Sequence, residues 1–224
     1  MITPIPAGVN PQLVAICEEF MRFCYDLFGA YLDALAGLDF IRHDLVRRQN
    51  EKIAQLAQTE REKASEEFMD QQVLDHRFAA DRHGPEEILH RSTQGEFKRR
   101  TAPGGVAERF LGHMMVALLY GTWEDKYRER LASSLGLPNK NALKSDLFQD
   151  INRLRQAIVH HQGEATEDVG RAKIIRWFRC GDQILISRPR AQELLDEIDH
   201  YISTLCGIQA SEKKHSQESA EECG

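Results

Sequence analysis

Between Val106 and Leu135 the chain carries apolar side chains so densely that a buried helix is the natural way to accommodate them. Phe110, Leu111, Met114, Met115, Ala117, Leu118, Leu119 and Tyr120 cover much of a helical circumference, which predicts an element at the centre of a core. Trp123, Glu124 and Tyr127 fall in its later half, and Gly136 and Pro138 stand where a helix stop is expected.

Other segments arrange themselves around this one. From Pro11 onward, Leu13, Ile16, Cys17, Phe20, Phe23, Cys24 and Leu27 recur at three- and four-residue steps and continue through Tyr31, Leu32 and Leu35, predicting a first helix. Gly37 marks a kink or a break. Residues 39–82 are charged, with sparse apolar positions at Phe40, Ile41, Leu45, Ile53, Leu56, Phe68, Val73 and Leu74, and predict a long second helix with a narrow apolar stripe. His83-Gly84-Pro85 ends it, and residues 86–106 read as a loop with basic Arg91, Lys98, Arg99 and Arg100. A further helix runs from Leu143 or Asp146 to His161, with Leu147, Ile151, Leu154 and Ile158 facing inward and Gly163 closing it. Ala172–Phe178 and Gln183–Ser187, separated by Cys180-Gly181-Asp182, predict a small β-hairpin. A last amphipathic helix follows Pro189, and residues 209–224 are expected to be disordered.

The predicted fold is therefore mainly α: an antiparallel helical bundle with a long second helix and a small β-hairpin before the last helix. Residues 1–208 form one domain, with a core over 106–208 and a helical extension over 39–105. A chain of 224 residues with 42% hydrophobic residues can supply such a core. The net charge of -6 excludes a protein that coats nucleic acid by bulk charge but leaves room for a local basic patch. Five cysteines without close pairing read as free thiols of a reducing compartment. The chain has no apolar run of membrane-spanning length and no signal-peptide pattern at its start, so a cytoplasmic, membrane-free protein is expected.

The segment Asp150–Gly163 carries the most chemistry. Arg155 and His160 stand in an R-x-x-x-x-H arrangement on a helix that then stops. As a bare spacing this is compatible with a surface Arg and with a His at a helix C-terminus. The two side chains lie about 140° apart on a straight helix. They converge only through Arg reach, fraying of the helix end, or a two-fold axis that brings in a second chain. No metal-ligand spacing and no phosphate-loop or nucleophile-elbow motif is present in the sequence, so neither metal nor cofactor is expected.

Arg155, Gln156 and His160, with the preceding Ala117-Leu118-Leu119-Tyr120-Gly121-Thr122-Trp123-Glu124, resemble the HEPN superfamily (the higher eukaryotes and prokaryotes nucleotide-binding domains). Family members place a polar residue after the Arg and a His four to six residues beyond it. Gln156 stands where Asn, Asp or His is more frequent. The likeness spans about residues 106–208, and residues 39–105 have no counterpart in it.

The resemblance implies a metal-independent endoribonuclease of toxin–antitoxin, abortive-infection or other antiviral systems. It implies a homodimer whose two motifs meet in a composite cleft, with RNA as substrate and an antitoxin or defence protein as a further partner. His160 would act as general acid/base, since an imidazole titrates near pH 6.5. Arg155 would stabilise the phosphorane, a contribution of roughly 3–4 kcal/mol in comparable sites. The expected products are a 2′,3′-cyclic phosphate and a 5′-hydroxyl. Gln156, His161 and Glu124 are candidate supporting residues, and Arg153, Lys144, Arg171, Lys173 and Arg176 are candidate RNA contacts. Two other readings use the same residues: a non-catalytic nucleotide-, RNA- or protein-binding module, and a structural subunit assembled through its long helix.

Overall fold

A computed structural model describes residues 10–78 and 86–207. The protein is mainly helical, with one small two-stranded antiparallel sheet among the described residues. Its elements are α1 (Pro11–Thr59), a 3-10 turn (Arg61–Lys63), α2 (Glu66–Asp70), β1 (Val73–Phe78), β2 (Glu87–Thr93), α3 (Gln94–Thr101) and α4 (Val106–Thr122). There follow a π-helical turn (Trp123–Tyr127), α5 (Arg128–Ser134), a second 3-10 turn (Lys140–Ala142), α6 (Asp146–His160), α7 (Glu167–Gly170) and α8 (Arg188–Leu205). The described residues divide into two compact units: one takes in those up to Ala30 and from Gly112 onward, the other those from Tyr31 to Leu111.

The first unit is built on an aromatic cluster. Phe20 of α1 is fully buried, with ring centres 5.4 Å from Trp123, 4.8 Å from Tyr127 and 6.0 Å from Phe148. Trp123 and Phe148 stack at 3.7 Å with planes 8° apart, and Tyr201 of α8 meets both edge-on. Such pairs add about 0.5–1.5 kcal/mol each beyond the area they bury. Leu119, Leu131, Ile151, Leu154, Ile184, Ile186, Leu194 and Ile198 complete the core. At its margin Glu19 of α1 pairs with Lys126 at 2.7 Å and Arg130 at 2.8 Å.

The second unit centres on a polar network. Gln49 is buried and donates to Asp70 at 3.0 Å and to Gln94 at 2.9 Å, while Lys98 pairs with Asp70 at 2.6 Å and Glu66 at 2.7 Å. β1 and β2 pair from Val73↔Thr93 to Phe78↔Glu87, with a register shift between His76 and Arg77.

Five sequence expectations are corrected. The long helix is the first one, because the chain runs helically from Pro11 to Thr59 without breaking at Gly37. Beyond its own helix, Gly37 has no atom within 4 Å of where a Cβ would stand, and the Asp39–Arg42 pair supports the turn that follows it. The predicted helix over 39–82 instead ends at Thr59, and the predicted loop over 86–106 holds β2 and α3. Thr93 accepts from the Glu96 N–H at 3.1 Å and its own N–H donates to the Glu96 carboxylate at 2.8 Å, a capping box that starts α3.

The sheet is not the hairpin predicted before the last helix. Around 172–187 only an isolated bridge, Glu164↔Gln183, forms. The N–H groups of Lys173, Ile174 and Ile175 donate to one oxygen of the Asp150 carboxylate, at 2.9, 2.7 and 3.2 Å, and so are not free for a strand ladder. Finally, α4 is buried on one face rather than over much of its circumference. Gly112, His113, Met115, Val116 and Leu119 face inward, whereas Val106, Phe110, Met114 and Leu118, four residues apart, are exposed. The expectations for His83-Gly84-Pro85 and for residues 209–224 lie outside the described residues.

Candidate functional site

Helix α6 carries the candidate residues, and its frame is well defined. Ser145 caps its start by accepting from the Phe148 N–H at 3.3 Å. Leu147, Phe148, Asp150, Ile151, Leu154 and Ala157 form its buried face. It ends at His160; His161 is the C-cap, and Gln162 and Gly163 turn the chain with φ of 54° and 78°. The Gly163 N–H returns to the Ala157 carbonyl at 3.2 Å. A Cβ at Gly163 would overlap the ring of His113, which is buried and hydrogen-bonded to the Ile184 carbonyl at 2.8 Å. Helix end, buried imidazole and the 184–186 segment are therefore locked together.

Arg155 is half-buried and makes no hydrogen bond or ion pair among the described residues. Its charge reaches Tyr120 of α4. Burial pushes the Tyr120 phenol up and Glu124 adds to that, while Arg128 and Arg155 act in the opposite direction. His160 is exposed in the last turn, where a helix C-terminus favours positive charge. At 100° per residue, Arg155 and His160 flank the solvent-facing strip of α6, with Asn152, Gln156 and Val159 between them.

The supporting candidates separate. Gln156 and His161 are exposed and line a cavity of about 510 Å³, together with Asn152, Arg153, Thr166 and Asp168. A second cavity, of about 160 Å³, is lined by Tyr120, Trp123, Arg128, Ser145, Gln149 and Asn152. Neither of these two cavities includes Arg155 or His160 in its wall. Glu124 pairs with Arg128 at 2.8 Å and Lys140 at 2.9 Å, rather than with Arg155 or His160. Burial alone would raise its carboxyl, but Lys140 and Arg128 outweigh that and hold it below the ordinary value.

Most of the candidate RNA-contacting cations have intramolecular carboxylate partners. Arg153 pairs with Asp150 at 2.5 Å, Lys173 with Asp146 at 2.8 Å, and Arg171 with Asp168 at 3.1 Å and Glu167 at 3.5 Å. Arg176 is exposed and donates to the Lys173 carbonyl at 2.8 Å. Lys144 is exposed and forms no ion pair among the described residues. Arg155 thus differs from Arg153 on the same helix: its guanidinium is held near the surface without a carboxylate to neutralise it.

Sequence reasoning missed the part played by Asp150. Its carboxylate is fully buried, with one oxygen on Arg153 and the other on three successive backbone N–H groups. The available signal was an Asp on the apolar face of an otherwise regular amphipathic helix, since a buried charge requires partners. Among the described residues no group of three or more His, Cys, Asp or Glu side chains could hold a metal ion, and no helix is long and apolar enough to cross a membrane.

No family model, no curated protein and no solved structure matches the chain.

Proposed function

We propose that this chain is a metal-independent endoribonuclease of the HEPN type, working as a homodimer in the cytoplasm in antiviral defence or as a regulated toxin. The observation that carries the reading is the pairing on α6 of an unneutralised, half-buried guanidinium, Arg155, with an exposed imidazole, His160, at the two borders of one open helical strip. The exposed apolar side chains Met114 and Leu118 of α4 and Val159 of α6 support a second copy as partner, because large exposed apolar side chains favour burial in an interface. An antitoxin or defence protein is the further partner that this reading calls for.

Chemically, the substrate's own 2′-oxygen attacks the adjacent phosphorus and displaces the 5′-oxygen. His160 takes the proton from the 2′-hydroxyl and returns it to the departing 5′-oxygen. Arg155 forks onto the non-bridging oxygens as charge grows on the phosphorane. Gln156 and Asn152, between the two, offer amide groups to the ribose-phosphate backbone. The products are a 2′,3′-cyclic phosphate and a 5′-hydroxyl.

The test is to incubate purified wild type and His160→Ala with total RNA in the presence of a chelator and to map the ends. Wild type is expected to leave cyclic phosphates and the variant to leave the RNA intact while folding normally. Equal cutting by the two proteins refutes the reading. If neither cuts, a non-catalytic binding module becomes the better account, and the cavity of about 510 Å³ beside His161 is where its ligand would sit.

A further inference from the structure

The second unit carries a cationic, aromatic cluster that the α6 site does not use. His76 of β1 and His90 of β2 face each other across the hairpin, with ring centres 5.7 Å apart. Arg100 of α3 places Nη1 3.5 Å from Nε2 of His90 and lies 5.7 Å over the ring of Phe97. Phe97 is buried, with its ring 6.1 Å from that of His76, so it backs both the guanidinium and the imidazole. Arg99 is exposed next along α3.

Most carboxylates of the surrounding elements are engaged elsewhere. Asp75 is held by Arg91 at 2.7 Å and Arg77 at 3.4 Å, and successive residues of a strand point to opposite faces, so it lies on the face away from His76. Glu86 pairs with Arg77, and Glu66 and Asp70 pair with Lys98. Glu96, four residues before Arg100, is turned back onto the Thr93 N–H. Glu87 lies opposite Phe78 at the far end of the ladder from this cluster. What remains is a patch of N–H donors and flat rings.

We propose that this face binds the phosphodiester backbone of single-stranded RNA, so that the hairpin unit holds substrate by a contact separate from α6. The inference rests on RNA being the substrate, as proposed above. Arg100 and the two imidazoles supply donors to phosphate oxygens, and the rings of His76 and His90 supply stacking surfaces for bases. Cations interleaved with aromatic rings are the combination that sequence-tolerant single-strand binders use. An acidic peptide would be drawn by the charge but would gain nothing from the rings.

The experiment measures anisotropy of a fluorescent 2′-O-methyl oligouridylate, which cannot be cleaved, with the full chain at 50 and 200 mM salt. Wild type is expected to bind, and Arg100→Gln to weaken binding about tenfold and to reduce the salt slope by about 0.7. His76→Gln/His90→Gln is expected to weaken binding in the same direction. Arg100→Gln should raise KM for RNA cleavage and leave kcat in place. As a readout independent of any variant, 4-thiouridine photocrosslinks to wild type should fall within residues 76–100. Absence of binding by wild type, unchanged affinity and slope in these variants, crosslinks only elsewhere, or equal displacement by an oligoglutamate of the same charge each overturn the inference. The two proposals fail separately: His160→Ala that still cuts RNA sinks the catalytic assignment, while the binding measurement stands apart from cleavage.

Discussion

The His113 imidazole occupies the space that a side chain at Gly163 would need. Gly163 also has φ of 78°, a conformation that L side chains rarely adopt. Gly163→Ala should therefore combine left-handed strain of about 1–2 kcal/mol with overpacking of about 1–3 kcal/mol. Urea denaturation would measure it, and a loss below about 1 kcal/mol would contradict the packing described.

Asp150 supplies a second stability prediction. Asp150→Ala leaves Arg153 without its partner and three N–H groups without an acceptor, and should cost about 3–5 kcal/mol. Arg153→Ala leaves the carboxylate with its three backbone donors and should cost only about 1 kcal/mol. Thermal melts of both variants would check the asymmetry, and equal losses would mean that the backbone contacts contribute little.

For the proposed chemistry, Arg155→Ala is expected to lower kcat by about 10²–10³-fold. Arg155→Lys should recover only part of this, because an ammonium cannot fork onto two oxygens. If the site is composite, mixing Arg155→Ala with His160→Ala subunits should raise cleavage well above that of either variant alone. Failure of the mixture despite demonstrated subunit exchange would place the whole site within one chain.

The pH dependence of stability follows from Glu19. Arg130 first, and Lys126 with it, hold its carboxyl at about 2 against an ordinary 4.5. A depressed folded-state value stabilises the fold above the unfolded value. That contribution is complete above about pH 4.5 and is lost as pH falls toward 2. Glu19→Gln should flatten the acid limb of the stability curve over this window and leave its shape near neutrality unchanged. Urea midpoints at pH 7, 4 and 2.5 test it, and parallel curves for variant and wild type would remove Glu19 from the account.

The legible parts of the molecule were those with local causes. α6 lies at Asp146–His160, within the bounds that its apolar spacing and Gly163 predict, and α4 starts at Val106 as its composition predicts. The capping box of Thr93 and Glu96 was written in the sequence too, but the basic residues around it made the segment read as a loop. For the candidate site, the sequence named Arg155 and His160, and the i,i+3 spacing of Asp150 and Arg153 was an unused signal that Arg153, unlike Arg155, has a carboxylate partner on the same helix. What only the fold shows is that the Asp150 carboxylate is buried and also takes three backbone N–H groups.

Helical hydrogen bonds join residues four apart, so the chain's own order of residues determined where α1 and α4 begin and where α6 runs. The tertiary structure decided everything that depends on a distant partner. Ile174-Ile175 and Ile184-Leu185-Ile186 have the composition of strands, yet a carboxylate more than twenty residues upstream takes the N–H groups of the first segment, and the N–H of Ile184 goes to the Gly163 carbonyl. Likewise the face of α4 that stays in solvent was settled by what packs against the others. A buried charge and a buried N–H must each find a partner, and which partner lies within reach is a property of the folded chain.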